Sequence, residues 1–191
     1  MLSFVTTNPG KVREATAYLD DDVEQFDFDY PEIQADDLAA VAAHGARSAY
    51  RAADGPVVVD DAGLFVDAFD GFPGPYSSYV EDTVGVERVW RMTEPETDRS
   101  AAFKTVIAYC DGDPLSTDRG HEGSDDEAPV ALFEGRVDGT IVAPRGDGGF
   151  GFDPIFEHEG ATFAEMSTDE KNAVSHRGRA LESFAEWYAD R

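Results

Sequence analysis

Asp60 and Asp61 follow three valines in the run VVVDDAGL, residues 57–64. Two neighbouring carboxylates repel one another unless a cation bridges them or one keeps a proton, and a hard divalent metal is the natural partner for such oxygen donors. The β-branched run after Gly55-Pro56 reads as a short buried strand, with the acids where it stops and Gly63 allowing a sharp exit. In α/β sheets ligands bind where strands end, because the chain leaves the ladder there. The competing reading is a turn with solvated carboxylates, and the pair alone does not separate the two.

A second chemistry, anion binding, is offered by TTNPGK at 6–11. A strand, a small polar turn containing glycine and a helix start place free N–H groups and the positive end of the helix dipole at the turn. Thr6, Thr7 and Asn8 add side-chain donors, and Lys11 adds a mobile charge. The GxxxxGK[ST] pattern of a Walker loop is absent. Glu32 stands beside Pro31 in a stiffened loop, where local sequence alone reads it as a surface glutamate.

PRGDGGFGFDPIF at 144–156 offers a third. Phe150 and Phe152 present aromatic faces on which a planar ring could stack, Gly151 permits close backbone approach, and Asp153 can accept hydrogen bonds. A glycine-rich hairpin closed by core phenylalanines is the other account. Lys171, His176 and Arg177 concentrate positive charge near a helix start, either to bind an anion or to pair with nearby acids. His121, alone among acids, reads as a surface histidine sooner than as a metal ligand.

These groups need elements to hold them. Strands are expected at 2–7, 23–28, 57–59, 101–110 and 130–142, the last as a pair or one bent strand with Gly135 and Gly139 as bulge candidates. Lys104 is expected on the solvent face of its strand. Helices are expected at 11–19, 38–53, 83–92 and 180–188, with Ser167 and Glu170 forming a capping box ahead of a helical turn at 171–174. Residues 65–79, with Phe72-Pro73-Gly74-Pro75, read as a shaped loop. Residues 111–128, rich in Gly, Ser and acids, read as a mobile acidic hairpin connection.

The chain has 191 residues, enough for one domain of two lobes, and carries 40 acids against 15 Lys and Arg, a formal charge of −25. That balance argues against a nucleic-acid partner, which clustered bases would require. Thirteen Phe, seven Tyr and two Trp argue for a real core over disorder. Dispersed acids suit a folded protein adapted to high salt, where the screening length falls to about 3 Å at 1 M. Only Lys11, Lys104 and Lys171 remain as lysines, so each is a candidate for a specific task. The single cysteine, Cys110, excludes an internal disulfide and reads as a buried apolar residue. No apolar run is long enough for a membrane helix, and the chain is expected to be cytoplasmic.

Taken in order, TTNPGK at 6–11, PEIQ at 31–34, VDDAGL at 59–64, FPGPYS at 72–77, GGFGFDP at 148–154 and EKNAVSHRGRAL at 170–181 resemble the inosine triphosphate pyrophosphatase family over nearly the whole length. The resemblance implies an α/β fold, with a long mixed, strongly twisted sheet flanked by helices and two lobes about a central cleft, usually as a homodimer. It implies hydrolysis of non-standard purine nucleoside triphosphates (ITP, dITP, XTP) to the monophosphate and pyrophosphate.

By the same resemblance, Thr6, Thr7, Asn8 and Lys11 hold the triphosphate, Glu32 and Asp61 bind Mg²⁺, and Asp61 or Asp60 activates water. Phe150, Gly151, Phe152, Asp153, Lys171, His176 and Arg177 hold base and phosphates. Ala62 stands at a substrate position where many relatives have serine, so a hydroxyl is lost, and Gly45 stands where a lysine is usual, which removes an expected phosphate contact. Two rival readings are a pyrophosphatase of the similar Maf-like fold acting on dTTP or UTP, and a regulatory nucleotide-binding protein that has lost turnover.

Overall fold

The computed structural model describes residues 1–19, 21–115, 120–121 and 127–191. Among these, eight strands form one sheet: β1 (Leu2–Val5), β2 (Val23–Phe26), β3 (Val57–Val66), β4 (Ser100–Cys110), β5 (Gly120–His121), β6 (Val130–Ile141), β7 (Phe156–His158) and β8 (Ala161–Thr162). Their order is β2-β1-β3-β4-β6-β7-β8, with β5 paired to β6. β1 runs parallel to both β2 and β3, whereas β6, β7 and β8 pair antiparallel, so the sheet is mixed as expected. The helices are α1 (Pro9–Tyr18), α2 (Leu38–Tyr50), α3 (Ser77–Thr83), α4 (Val86–Thr93), α5 (Thr168–Val174) and α6 (His176–Ala189). Among the described residues no helix is long and apolar enough to cross a membrane.

The chain divides into two compact units. Unit 1 comprises Met1–Asp61, Thr105–Glu134 and Arg179–Arg191; unit 2 comprises Ala62–Lys104 and Gly135–Gly178. In unit 1, Leu2, Phe4 and Val58 pack with Ala15 of α1, Ile107 and Tyr109 of β4, Phe133 of β6 and Leu181 and Phe184 of α6. In unit 2, Leu64, Val66, Phe103, Val137 and Ile141 from the three long strands enclose Phe152, Ile155, Phe156 and Phe163 together with Val80 and Val89. Each fully buried Val, Leu, Ile or Phe side chain among them contributes about 1.5–3 kcal/mol. Cys110 is buried and unbridged, as its apolar neighbours imply.

Several elements differ from expectation, each for a local reason. β3 does not stop at Asp60-Asp61 but continues to Val66, because Leu64 and Val66 are drawn into the core of unit 2. α1 begins at Pro9, since Asn8 caps it by accepting from the Gly10 N–H at 2.8 Å. Residues 65–79, expected as a shaped loop, hold the end of β3, short 3₁₀ turns at Asp67–Phe69 and Gly74–Tyr76, and the start of α3. Ser77 fixes them to β3: its Oγ accepts from the Leu64 N–H at 2.8 Å and donates to the Gly74 carbonyl at 2.7 Å.

The expected capping box is present, and α6 starts at His176, earlier than the apolar spacing suggests, because the Ser175 hydroxyl accepts from the Gly178 N–H at 2.9 Å. β6 is one strand of alternating burial. Lys104 is half-buried, its ammonium 4.3 Å from the centre of the Phe65 ring, a contact that removes it from a plain solvent face. Of the expected connection at 111–128, residues 116–119 and 122–126 lie outside the described residues. β5 pairs antiparallel with β6, and nothing is described of the His121 side chain.

Candidate functional site

In unit 1 the turn after β1 is held by its own polar side chains. Thr6 Oγ1 accepts from the Asn8 N–H at 3.0 Å, and Asn8 Oδ1 from Gly10. These bonds use acceptor capacity, so the Thr6 hydroxyl hydrogen and the Asn8 side-chain amide keep their donor character, while Thr7 is exposed. The Lys11 ammonium lies 3.5 Å from Asp60 Oδ2 and 3.5 Å from the Asp60 carbonyl.

Because β3 is continuous through the paired acids, successive side chains project to opposite faces. The two carboxylates therefore divide their work. Asp60 has a solvent-shielded side chain and is paired with Lys11, whereas Asp61 is half-buried. Glu32, distant in sequence and exposed, is brought into the same neighbourhood. The common reference is Tyr30, whose phenol is pushed well above its ordinary pKa by burial first and then by the charges of Asp61, Glu32 and Asp60. Tyr30 escaped the sequence reading; the available signal was a glycine, Gly45, inside an alanine-rich helix, where it costs roughly 0.5–1 kcal/mol relative to Ala.

Gly45 meets that phenol. A Cβ at residue 45 would lie 2.3 Å from Tyr30 Oη and 2.6 Å from its Cζ. The space in which a lysine stem would start is filled by the tyrosine.

Among the described residues no three His, Cys, Asp or Glu side chains are gathered closely enough to enclose a metal. Two carboxylates suffice for Mg²⁺, which keeps several waters and takes its remaining oxygens from substrate phosphates. Asp61 and Glu32, hard oxygen donors whose charges bear on one hydroxyl, fit that ion.

In unit 2 the glycine-rich stretch is organised by Asp153. This carboxylate, 2% exposed, accepts from the Phe150 N–H at 2.8 Å and pairs with the Lys171 ammonium at 2.5 Å. Gly149 has φ +71°, and a Cβ there would lie 2.1 Å from Asp153 Oδ2, so only glycine lets the loop close on the acid. Of the two aromatic faces, Phe150 is open at 60% exposure and carries the Lys171 ammonium 4.4 Å from its ring centre. Phe152 is buried at 3% within the core of unit 2 and has no free face.

Glu81 of α3, another residue not singled out from the sequence, packs its carboxylate against Gly151. Burial, then Asp82 and Asp153, push its pKa up. His176 and Arg177 open α6, both nearly buried; the imidazole stacks on Phe103 with centroids 5.0 Å apart and planes 11° from parallel. Ala62 is half-buried in β3 and brings no hydroxyl.

Comparison with known proteins shows the family. The model of the Ham1 family matches residues 2–187. This chain belongs to the Ham1 family. The dITP/XTP pyrophosphatase of Thermococcus kodakarensis is 50% identical, over 97% of this chain and 96% of its own. The dITP/XTP pyrophosphatase of Methanosarcina acetivorans is 45% identical, over 98% and 97%. Among solved structures, a HAM1 protein from Coxiella burnetii superposes with TM-score 0.81 at 32% identity and complete coverage of both chains. The Staphylococcus aureus Ham1 protein gives 0.80 at 27%, covering 100% of this chain and 99% of its own. The matched span contains the motifs at 6–11, 31–34, 59–64, 72–77, 148–154 and 170–181, and the fold is the mixed α/β architecture that the resemblance implied.

Proposed function

We infer that this Ham1 protein is a nucleoside-triphosphate pyrophosphatase that hydrolyses dITP, XTP and ITP to the nucleoside monophosphate and pyrophosphate. Full-length identity with relatives named dITP/XTP pyrophosphatase carries the reading. It favours the non-standard purine nucleotides over dTTP or UTP and makes loss of turnover the less economical account.

The residues of unit 1 have the chemistry for the triphosphate. Thr6, Thr7 and Asn8 offer donors to phosphate oxygens beside the α1 N-terminus, and Lys11 supplies charge. Mg²⁺ held by Glu32 and Asp61 would supply Lewis-acid stabilisation of charge developing on phosphate oxygens. Asp61 is assigned the proton of the attacking water because its carboxylate is half-buried, whereas the Asp60 side chain is fully shielded from solvent. A P–O bond to water forms, the bond between the α phosphorus and the bridging oxygen breaks, and pyrophosphate leaves.

The residues of unit 2 have the chemistry for the base. Phe150 offers a stacking face, and Asp153 anchors the loop and Lys171. Arg177 can only donate hydrogen bonds, and with His176 it suits the 6-oxo group of hypoxanthine or xanthine. Adenine presents an amino group there, which leaves buried donors unpaired, a mismatch that can cost factors of about 10⁴.

The protein is further proposed to be a cytoplasmic homodimer, which light scattering in molar KCl checks. Pyrophosphate release from dITP, XTP and ITP against ATP, GTP, dTTP and UTP, with and without Mg²⁺, tests the reading. Equal rates on all seven, or none on the inosine and xanthosine nucleotides, would remove it.

A further inference from the structure

Two carboxyls of unit 2 meet the loop that carries Phe150, and one of them is already committed. Asp153 accepts from the Phe150 N–H at 2.8 Å and pairs with the Lys171 ammonium. Glu81 reaches the loop from α3. Its Oε2, Cδ and Oε1 lie 3.2, 3.8 and 4.0 Å from where a Cβ at Gly151 would stand, so the whole carboxyl faces the backbone one residue from the exposed ring. Glu81 is half-buried, and among the described residues it accepts no hydrogen bond and pairs with no cation. The charged groups bearing on it are Asp82, its neighbour on α3, and Asp153, whose own partner is Lys171. An acceptor left unused beside a stacking face has a use in reading a base. Arg177 and His176 bring donors suited to a 6-oxo oxygen, and the adjacent ring position, N1, is where 6-oxo and 6-amino purines differ a second time. Hypoxanthine carries a donor there, N1–H; adenine carries a lone pair. A site that reads both positions needs an acceptor next to its donors.

We propose that Glu81 is a specificity-determining residue of the base site: its carboxylate accepts the N1–H of a 6-oxopurine stacked on Phe150 and opposes the N1 lone pair of adenine. The role rests on the reading of Phe150 as the stacking face, and goes beyond it by naming the group that reads the second position of the ring edge. Gly151 makes the approach possible, because a side chain there would meet the carboxyl at 3.2 Å. Burial, then Asp82 and Asp153, make Glu81 hold its proton more tightly than an ordinary glutamate. The discrimination is therefore lost on acidification before an ordinary glutamate would titrate, since the protonated carboxyl can donate to adenine N1.

The test is the ratio of kcat/KM for ITP to that for ATP, read from pyrophosphate release with Mg²⁺ in buffered KCl, from neutral pH down towards the ordinary glutamate value. Glu81→Gln keeps the size of the side chain and presents an amide that can turn either its oxygen or its NH₂ to N1. Near neutrality it is expected to lower the ITP to ATP ratio about 10- to 100-fold, by a lower value for ITP and a higher one for ATP. The wild-type ratio should fall towards that of Glu81→Gln as the pH is lowered, so that the two curves separate only on the neutral side. The wild-type curve needs no variant, and it tests the role even where Glu81→Gln folds poorly. A residue that only supports the loop would lower both substrates in proportion. An unchanged ratio in Glu81→Gln, or a wild-type ratio that does not fall with pH, overturns the proposal. Phe150→Ala with the KM for ITP intact removes instead the stacking face on which it rests, and the two failures are distinct.

Discussion

The Lys11 ammonium lies 3.5 Å from the carboxylate of Asp60, whose side chain is fully shielded from solvent while Lys11 keeps 24% of its exposure. A cation on a helix and an acid in a central strand are thereby tied across the parallel β1/β3 pair. Removing the cation takes one partner from a buried charge. Lys11→Met is expected to lower stability by about 1–3 kcal/mol and to lower kcat/KM for dITP. Adding Asp60→Asn should recover much of the stability but not the activity. Denaturant unfolding and initial rates on the same three variants check both halves.

Asp61→Asn should reduce turnover of dITP by about 10²–10⁴-fold, the range associated with loss of a proton-accepting group. The Tm should change little, because Asp61 is only half-buried. Retained turnover would assign the proton to a different acid.

Asp153 is 2% exposed and paired with Lys171. Lys171→Ala should therefore act through the loop at 149–153 as well as through lost charge. A fall in kcat/KM for dITP of at least tenfold, about 1.4 kcal/mol, is expected, with Asp153→Asn partly restoring the order of the loop in the double variant. Steady-state kinetics and Phe150 accessibility to quenching with a tryptophan placed there would report it.

Glu81 carries a pH dependence with a defined sign. Its pKa is raised by burial, then by Asp82 and Asp153, so the folded chain holds its proton more tightly than the unfolded chain does. The stability it contributes is fully present below the ordinary glutamate value and is lost as pH rises through the folded value. Glu81→Gln stays neutral at every pH. Its Tm relative to wild type should therefore climb as pH rises above the ordinary glutamate value; a difference independent of pH would show that the carboxyl titrates normally.

The charge of −25 leads to a salt prediction. Raising KCl from 0.1 to about 2 M should raise Tm monotonically as the screening length drops from about 10 Å to under 3 Å, and a flat response would mean that the acids are already compensated in the fold.

Much of this was legible in the chain itself because the informative residues were local. Asn8 before Pro9, Ser167 ahead of Glu170 and the apolar runs of β1 and β4 specify their elements by type and spacing. What escaped was set by partners distant in sequence. The length of β3 depends on the core of unit 2 claiming Leu64 and Val66; nothing in VVVDDAGL announces it. Phe150 and Phe152 are two positions apart and chemically alike, yet one is open and the other buried, a difference that packing alone decides. Tyr30 could not be singled out until its glycine was known, because a tyrosine before proline has many ordinary explanations.

The Tyr30 and Gly45 contact also constrains how such a chain can drift. A methyl group at 45 meets the phenol at 2.3 Å, so position 45 cannot take a side chain while the tyrosine keeps its place. Descendants that place a side chain at 45 must first give up the aromatic ring at 30, so exchange at the two sites is expected in that order.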